Sequence, residues 1–333
     1  MFGLPDLVFG IFALLMVGAS WCLVGVIFGD APKRGLDIRL LQFFGGILSL
    51  LAGTVIALFF LPPKMIDMEV MAWGLGSYFC AGILNYSGLQ AMGKGMQLGP
   101  NGAVWGIMQS ALIAPFLAGV LLFGQPLTIP RLAGIILLVA ALIFFAKAKN
   151  LKTQNQPTGG GSWRFYAFLS FGFICFQQNF ATAPSYFAEC REISPVLRAL
   201  AMASGTFSGA GCMLLYQKFR HPEISRQIFR GWNNKWLYIY TFGQQFYGLF
   251  FAYLLLYPGM DAMAEANAGA VCYPLMVGSC IVSFSLFAIF VLKEKATRQQ
   301  ITALGLCLPG LAGLCFPADI LPLLRLPLLP WLQ

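Results

Sequence analysis

Ten apolar stretches, each close to the length that crosses a lipid bilayer, follow one another along the chain. A membrane-spanning helix needs about 20 predominantly apolar residues. The candidate stretches lie at about 5–28, 38–61, 70–92, 101–123, 129–147, 163–188, 194–217, 235–257, 267–292 and 299–316. Only 10% of all residues are charged, against about 25% in an ordinary soluble domain. The sequence therefore predicts an all-α integral membrane protein with ten transmembrane helices.

Part of this pattern occurs twice, because the stretch 100–147 has a counterpart at 267–316. In each, an apolar segment that begins with Gly-Ala-Val is followed by a short polar turn and a second apolar segment. Gly102-Ala103-Val104 corresponds to Gly269-Ala270-Val271, and Thr128 in the first turn corresponds to Thr297 in the second. Internal repetition of this kind is typical of transporters built from two related halves.

A polar, glycine-rich linker at 149–162 divides the ten segments five and five. We expect a first repeat at 1–148 and a second at 163–316, followed by a proline-rich tail at 317–333 that lies at the membrane interface. Five helices reverse the direction of the chain, so the two repeats must face opposite ways. The result is a 5+5 inverted repeat with a binding site near the bilayer midplane.

Positively charged residues are distributed unequally between the two sets of loops. Sixteen of the 21 Lys and Arg residues fall in the loops after the odd-numbered segments. The positive-inside rule places these loops in the cytoplasm and both termini outside. The net charge of +9 is explained in this way by the lipid bilayer, and we expect no nucleic-acid partner.

Cysteine and histidine usage predicts no metal site, no cofactor and no disulfide framework. The nine cysteines are scattered without a CxxC pair, and His221 is the single histidine. An intramembrane enzyme would need a cluster of His, Asp, Glu or Cys at membrane depth, and the segments contain none. We therefore expect that the protein is not an enzyme.

Polar side chains inside the apolar segments are candidates for a binding site, because a polar group in hydrocarbon needs a partner or a water-filled cavity. The densest group is in the sixth segment, where Gln177, Gln178 and Asn179 cover most of the helix circumference. Hydrogen bonding between helices is the alternative interpretation, and for an aromatic residue it is plain packing. The other candidates, from the first, third, fourth, eighth and ninth segments, are Trp21, Asn85, Tyr86, Trp105, Gln109, Gln245, Tyr247, Tyr273 and Ser279.

The charge of these segments restricts the ligand. No Asp, Glu, Lys or Arg lies in the middle of any of them. Amides and aromatic rings suit a neutral, hydroxyl-rich ligand, whereas a multiply charged anion would need Arg or Lys in the cavity. Arg39 and Arg198, at segment ends, are expected to snorkel to the interface. Glu189 is the acidic residue closest to the amide-rich segment and is our candidate for proton coupling; sodium coupling or none stays open.

Several motifs resemble a known family. The ten-segment plan, with GQPLT and KEKAT turns joining the last two helices of each half, resembles the drug/metabolite transporter superfamily. Within it, the runs 82–116 and 290–300, together with Asn179 and Pro184, resemble the rhamnose–proton symporters and related glucose/ribose porters. Gln125 departs from the repeat, because the second half has Glu294 there.

The resemblance implies an EamA-like fold, alternating access, and a cavity built from segments 1, 3, 4, 6, 8 and 9. It also implies a bacterial cytoplasmic membrane protein that carries a small-molecule substrate, with a monosaccharide as first choice and H⁺ or Na⁺ as the coupling ion. An amino-acid or drug exporter of the same superfamily is the alternative, since helix ends can bind the charged groups of an amino acid.

Overall fold

The computed structural model describes residues 3–31, 34–61, 66–99, 101–152, 162–291, 293 and 297–316, and these contain no β-strand. The tail 317–333 and most of the linker, 153–161, lie outside the described residues. The helices are α1 (Gly3–Asp30), α2 (Ile38–Phe60), α3 (Met68–Leu98), α4 (Asn101–Gln109), α5 (Ile113–Leu121), α6 (Ile129–Lys152), α7 (Ser162–Thr182), α8 (Ala188–Arg191), α9 (Pro195–Arg220), α10 (Pro222–Phe229), α11 (Lys235–Phe251), α12 (Tyr257–Glu265), α13 (Cys272–Phe290) and α14 (Arg298–Leu314).

Several of these helices have membrane character. Within the described ranges, six stretches are long and apolar enough to cross a bilayer: Pro5–Ile27, Ile38–Phe60, Ala103–Leu121, Ile129–Lys147, Pro195–Arg220 and Gly269–Phe287. Large apolar side chains on their surfaces are exposed, as at Leu58, Phe59 and Phe60. A soluble protein seldom exposes apolar surface on this scale. The chain is therefore an all-α, multi-pass membrane protein.

Capping residues fix where many helices begin. In each case a side-chain oxygen accepts a hydrogen bond from a backbone N–H of the first turn, which would otherwise lack a partner. At α14 the bond is reciprocal, because Thr297 and Gln300 form a capping box. The other N-caps of this kind are Asp37, Asp67, Ser194 and Asn234.

One helix continues where the sequence predicts a boundary. The stretches 235–257 and 267–292 predict a loop between them that begins at Pro258, but α11 passes through a π-helical turn at Ala252–Leu256 directly into α12. Pro258 directly follows the π-helical turn, and such a local irregularity accommodates a proline, which has no amide hydrogen, within a continuous helix. As a result Asp261, expected in a loop, lies on a helix one turn after Tyr257.

The helices pack closely around glycines. At the crossing of α3 and α9, a Cβ atom on Gly82 would lie 2.1 Å from the carbonyl oxygen of Met202. A Cβ atom on Gly205 would lie 2.0 Å from the carbonyl oxygen of Phe79. The two backbones are in direct contact, and any larger residue at either position would separate the helices. This crossing fixes the position of α3, which also packs along α7.

Candidate functional site

An amide, a phenol and an indole from three different helices meet inside the bundle. The Nε2 atom of Gln177 on α7 donates a hydrogen bond to the hydroxyl of Tyr273 on α13, at 3.3 Å. The ring of Trp21 on α1 lies 6.4 Å from that of Tyr273, centroid to centroid. Gln177 and Tyr273 are buried, and Trp21 is partly buried. The sequence predicted all three as site residues, and the structure brings them together.

Two further predicted residues join this group through the backbone of α1. The hydroxyl of Tyr247 on α11 lies 3.4 Å from the carbonyl oxygen of Val17. Ser279 on α13 donates to the carbonyl oxygen of Leu15 at 2.6 Å. Both carbonyls belong to the turn of α1 that precedes the Trp21 side chain. We call these five residues, which are linked by contacts with one another or with the α1 backbone, the central cluster: Trp21, Gln177, Tyr247, Tyr273 and Ser279.

The two remaining amides of α7 point in different directions from Gln177. Gln178 is buried, and in the described part of the chain its Oε1 atom has no hydrogen-bond partner. Asn179 is partly buried, and its Nδ2 atom donates to the carbonyl oxygen of Cys175 on its own helix at 2.8 Å. A buried, unpaired amide oxygen costs free energy unless a ligand or water satisfies it. Gln178 is therefore the stronger ligand-binding candidate of the two.

The predicted residues on α3 and α4 differ in burial and in their contacts. Asn85 is partly buried; Tyr86 is buried against Gly209 of α9, and its hydroxyl has no partner among the described residues. Trp105 is partly buried, with its ring centroid 5.4 Å from that of Phe145. Gln109 is buried at the end of α4.

Gln245 lies apart from the central cluster. Its Oε1 atom accepts a hydrogen bond from the Ser49 hydroxyl of α2. It also lines a crevice of about 410 Å³ between α2 and α11, whose other walls are apolar side chains such as Leu48, Ile56 and Leu249. The amide thus connects two helices, as the alternative interpretation of the polar residues proposes.

The charged residues at one end of the bundle are arranged differently from the prediction. Glu189, the candidate for coupling, is exposed on α8. Arg198 is not at a lipid interface: its side chain is completely buried and its NH1 atom donates to both carboxylate oxygens of Asp261, at 2.9 and 2.8 Å. Two more bonds, to the carbonyl oxygens of Ile193 and Cys190, use its other nitrogens. Snorkelling is excluded, because the guanidinium is fully engaged inside the protein.

Two buried tyrosines lie next to this ion pair. The rings of Tyr78 on α3 and Tyr257 on α12 meet edge to face, with centroids 5.0 Å apart. The Tyr78 hydroxyl lies near Arg198 and Ser185, but it makes no hydrogen bond of standard geometry to any residue in the described ranges. The sequence contains only one signal for this arrangement. Ser194-Pro195 predicts a helix start, which places Arg198 in the first turn of α9. Asp261 could not be predicted as its partner, because the sequence predicts a loop after Tyr257.

The arrangement defines a class of protein: a helical membrane protein whose central cluster consists of uncharged hydrogen-bonding groups and aromatic rings, with a buried ion pair elsewhere in the bundle. Comparison with solved structures finds 18 matching chains. One, titled "Crystal structure of protein", has a TM-score of 0.63 and 14% sequence identity, and the alignment covers 93% of this chain and 97% of that one. The fold is therefore one that occurs in other proteins. A scan against protein-family models and a search of curated proteins find no match.

Proposed function

We propose that this protein is a secondary transporter of the ten-helix drug/metabolite type, which moves a small neutral polar metabolite by alternating access. The observation that carries the proposal is the central cluster, because Gln177, Tyr273 and Trp21 converge from three helices without a charged side chain among them. Amide and phenol groups hydrogen-bond hydroxyls, and aromatic rings cover apolar faces. A monosaccharide offers both kinds of surface.

Helix packing supports the inverted repeat on which this proposal rests. We compare the halves by pairing helices in chain order: α1 with α7, α2 with α9, α3 with α11–α12, α4–α5 with α13, and α6 with α14. With this pairing, the main contacts between helices occur in equivalent pairs. Contact α3–α7 has its equivalent in α12–α1, α3–α9 in α11–α2, and α1–α13 in α7–α4. The contacts α2–α9 and α6–α14 are their own equivalents. A pseudo-twofold axis between the halves produces this pattern.

Loop charge supports an orientation with both termini outside a bacterial cytoplasmic membrane. Two of the five positive residues on the side poorer in Lys and Arg, Arg131 and Arg198, are buried and hydrogen-bonded within the protein. They therefore contribute little to the charge of the loops, and the difference between the two sides becomes larger. The positive-inside rule then places the richer side in the cytoplasm.

Counterflow into proteoliposomes tests the proposal. Vesicles preloaded with an unlabelled sugar should accumulate the same labelled sugar, and a panel of monosaccharides, amino acids and cationic drugs identifies the substrate class. Repeating the assay with a proton or a sodium gradient identifies the coupling ion. Thermal stabilisation of the purified protein by sugars but not amino acids would agree with the proposal. Counterflow of amino acids alone would favour the exporter alternative.

A further inference from the structure

The two equivalent helices α4 and α13 differ in burial. Every residue from Gly269 to Ile281, at the start of α13, is buried. In the corresponding part of the first half, which starts at Gly102-Ala103-Val104, partly exposed residues alternate with buried ones, as at Trp105 and Ile107. In an inverted repeat these two helix starts lie at opposite ends of the bundle. The end of the bundle that contains Gly269 is therefore closed around the start of α13. At the opposite end, the residues at the start of α4 are less completely buried.

Contacts between the two halves hold the closed end. The Oε1 atom of Gln125, in the turn after α5, accepts a hydrogen bond from the backbone N–H of Gly269 at 3.0 Å. Arg131 on α6 donates from NH1 to the carbonyl oxygen of Asn267 at 3.0 Å and to that of Pro126 at 3.1 Å. Two polar side chains of the first half thus bind the backbone that leads into α13 in the second half.

The backbone between α12 and α13 is a short, closely packed turn. Asn267 has φ of +53°, in the left-handed region that Asn adopts more readily than other non-glycine residues, and it ends α12, with the N–H of Ala268 donating to the carbonyl oxygen of Met263 at 2.7 Å. Gly269 lies under the ring of Tyr186, and a Cβ atom there would be 2.6 Å from its Cε1 atom. This turn is packed against Tyr186 of its own half and is hydrogen-bonded to Gln125 and Arg131 of the first half, so loss of those hydrogen bonds removes polar contacts that join the two halves here.

The departure of Gln125 from the repeat fits this role. Its side chain is 5% exposed, and a carboxylate, such as Glu294 supplies at the corresponding position, would bury a negative charge. A neutral amide accepts the Gly269 hydrogen bond without that cost. Such a contact can break and reform during a transport cycle, because it involves no buried charge pair.

We infer that Gln125 and Arg131 close one end of the transport path in this conformation, and that their hydrogen bonds to Asn267 and Gly269 must break for that end to open. The inference rests on the proposed transport function, because it assigns these contacts to one half of an alternating-access cycle. Gln125 and Arg131 are positioning residues: they set the place of α13 and do not bind substrate.

Cysteine accessibility tests the inference without any substrate. Cys272 is the first residue of α13 and is completely buried, as is Cys307 on α14. The full-length protein is treated with a maleimide, and alkylation at each cysteine is measured by peptide mass spectrometry. In Gln125→Ala the rate at Cys272 should rise about tenfold, as expected when a buried hydrogen bond that favours one state is lost. The rate at Cys307 should stay at its wild-type value.

A matched control removes an amide elsewhere: Gln90→Ala deletes the bond from Gln90 Nε2 to Gln42 Oε1 between α3 and α2 and should leave Cys272 protected. Equal increases at Cys272 and Cys307 in Gln125→Ala would show general loosening and overturn the inference. Continued protection of Cys272 in a folded Gln125→Ala protein would overturn it as well.

Hydrogen exchange of the wild-type protein provides a test that needs no variant. Amides in 272–281 should exchange at least about tenfold more slowly than those in 105–114, and equal rates would contradict an asymmetric closure. Neither measurement depends on transport. Absence of counterflow alone would therefore contradict the proposed function and leave the closed end unaffected. Rapid alkylation of Cys272 in the wild-type protein would contradict the closed end and leave the proposed function unaffected.

Discussion

Gln177 and Tyr273 are joined by a hydrogen bond of 3.3 Å between Nε2 and the phenol oxygen, and this bond connects α7 to the buried first half of α13. Because Gln177 donates, the hydroxyl hydrogen of Tyr273 remains available for another acceptor. An amide oxygen, a phenol hydrogen and the face of Trp21 are thereby presented at one place. In the transport function that we propose, this set would bind hydroxyl groups with defined directions, which a purely apolar contact between the same helices could not do.

Replacing Gln177 by Ala should lower the affinity for the transported metabolite about tenfold or more, because one buried hydrogen bond and its geometry are lost. Asn179→Ala is the matched control, since that amide donates to its own helix at Cys175 and should have a smaller effect. Substrate-dependent thermal stabilisation of both purified variants measures the difference. Equal effects of the two substitutions would show that the Gln177–Tyr273 contact is not part of the binding site.

Gly82→Ala should destabilise the protein by roughly 1–3 kcal/mol, because the new methyl group would meet a backbone oxygen of α9 that cannot move alone. Gly76→Ala on the same helix is the control. Apart from the neighbouring backbone of α3, no atom of the described residues lies within 4 Å of a Cβ placed there, and alanine should stabilise the helix by about 0.5–1 kcal/mol. Thermal unfolding in detergent gives both values. Similar melting temperatures would contradict the close approach of α3 and α9.

Ser49→Ala should cost about 1–3 kcal/mol, because it leaves the Oε1 atom of Gln245 without its donor in an apolar crevice. The double variant Ser49→Ala/Gln245→Leu should recover most of this loss, since both polar partners are then replaced by apolar groups. Unfolding by denaturant or heat measures the stability of both variants.

Counterflow tests whether Gln245 takes part in transport. Gln245→Leu should transport at near wild-type rates if this amide only connects helices, and a complete loss of transport would show that it belongs to the binding site.

Hydrophobicity predicts the helices well but locates a binding site poorly. Six described stretches are helices long and apolar enough to cross a bilayer, because a chain in lipid must satisfy its backbone hydrogen bonds locally. The stretch predicted at 163–188 is shorter as a helix, since α7 ends at Thr182. Which polar side chains meet depends on helix rotation and crossing, which periodicity alone does not determine. Gln177 and Tyr273 were predicted separately, and nothing in the sequence shows that they touch. Gln245 was predicted by the same reasoning, yet it binds Ser49.

The buried ion pair shows why charge is difficult to locate from sequence. Arg198 and Asp261 are 63 positions apart. Arg198 lies near the end of a hydrophobic stretch, where snorkelling is the usual behaviour, and Asp261 lies between two stretches, where a loop is expected. The helix through Pro258 carries Asp261 into the bundle, and the π-helical turn before it is not recognisable from composition. Long-range pairing of this kind follows from the tertiary arrangement of α9 and α12, which single-sequence patterns do not specify.

Asp261→Ala should destabilise the protein by about 3–5 kcal/mol, because the fully buried guanidinium of Arg198 would lose its carboxylate partner and remain buried. Glu265→Ala, four residues further on the same helix, is the matched control. Its pair with Arg191, at 3.2 Å, is half exposed on the glutamate side, and such pairs contribute at most about 1 kcal/mol. Thermal unfolding of both variants measures the two losses.

Replacement of both Arg198 and Asp261 by leucine should destabilise the protein less than Asp261→Ala does, because no unpaired charge remains. If all three variants unfold like the wild type, Arg198 reaches water and the buried network is absent.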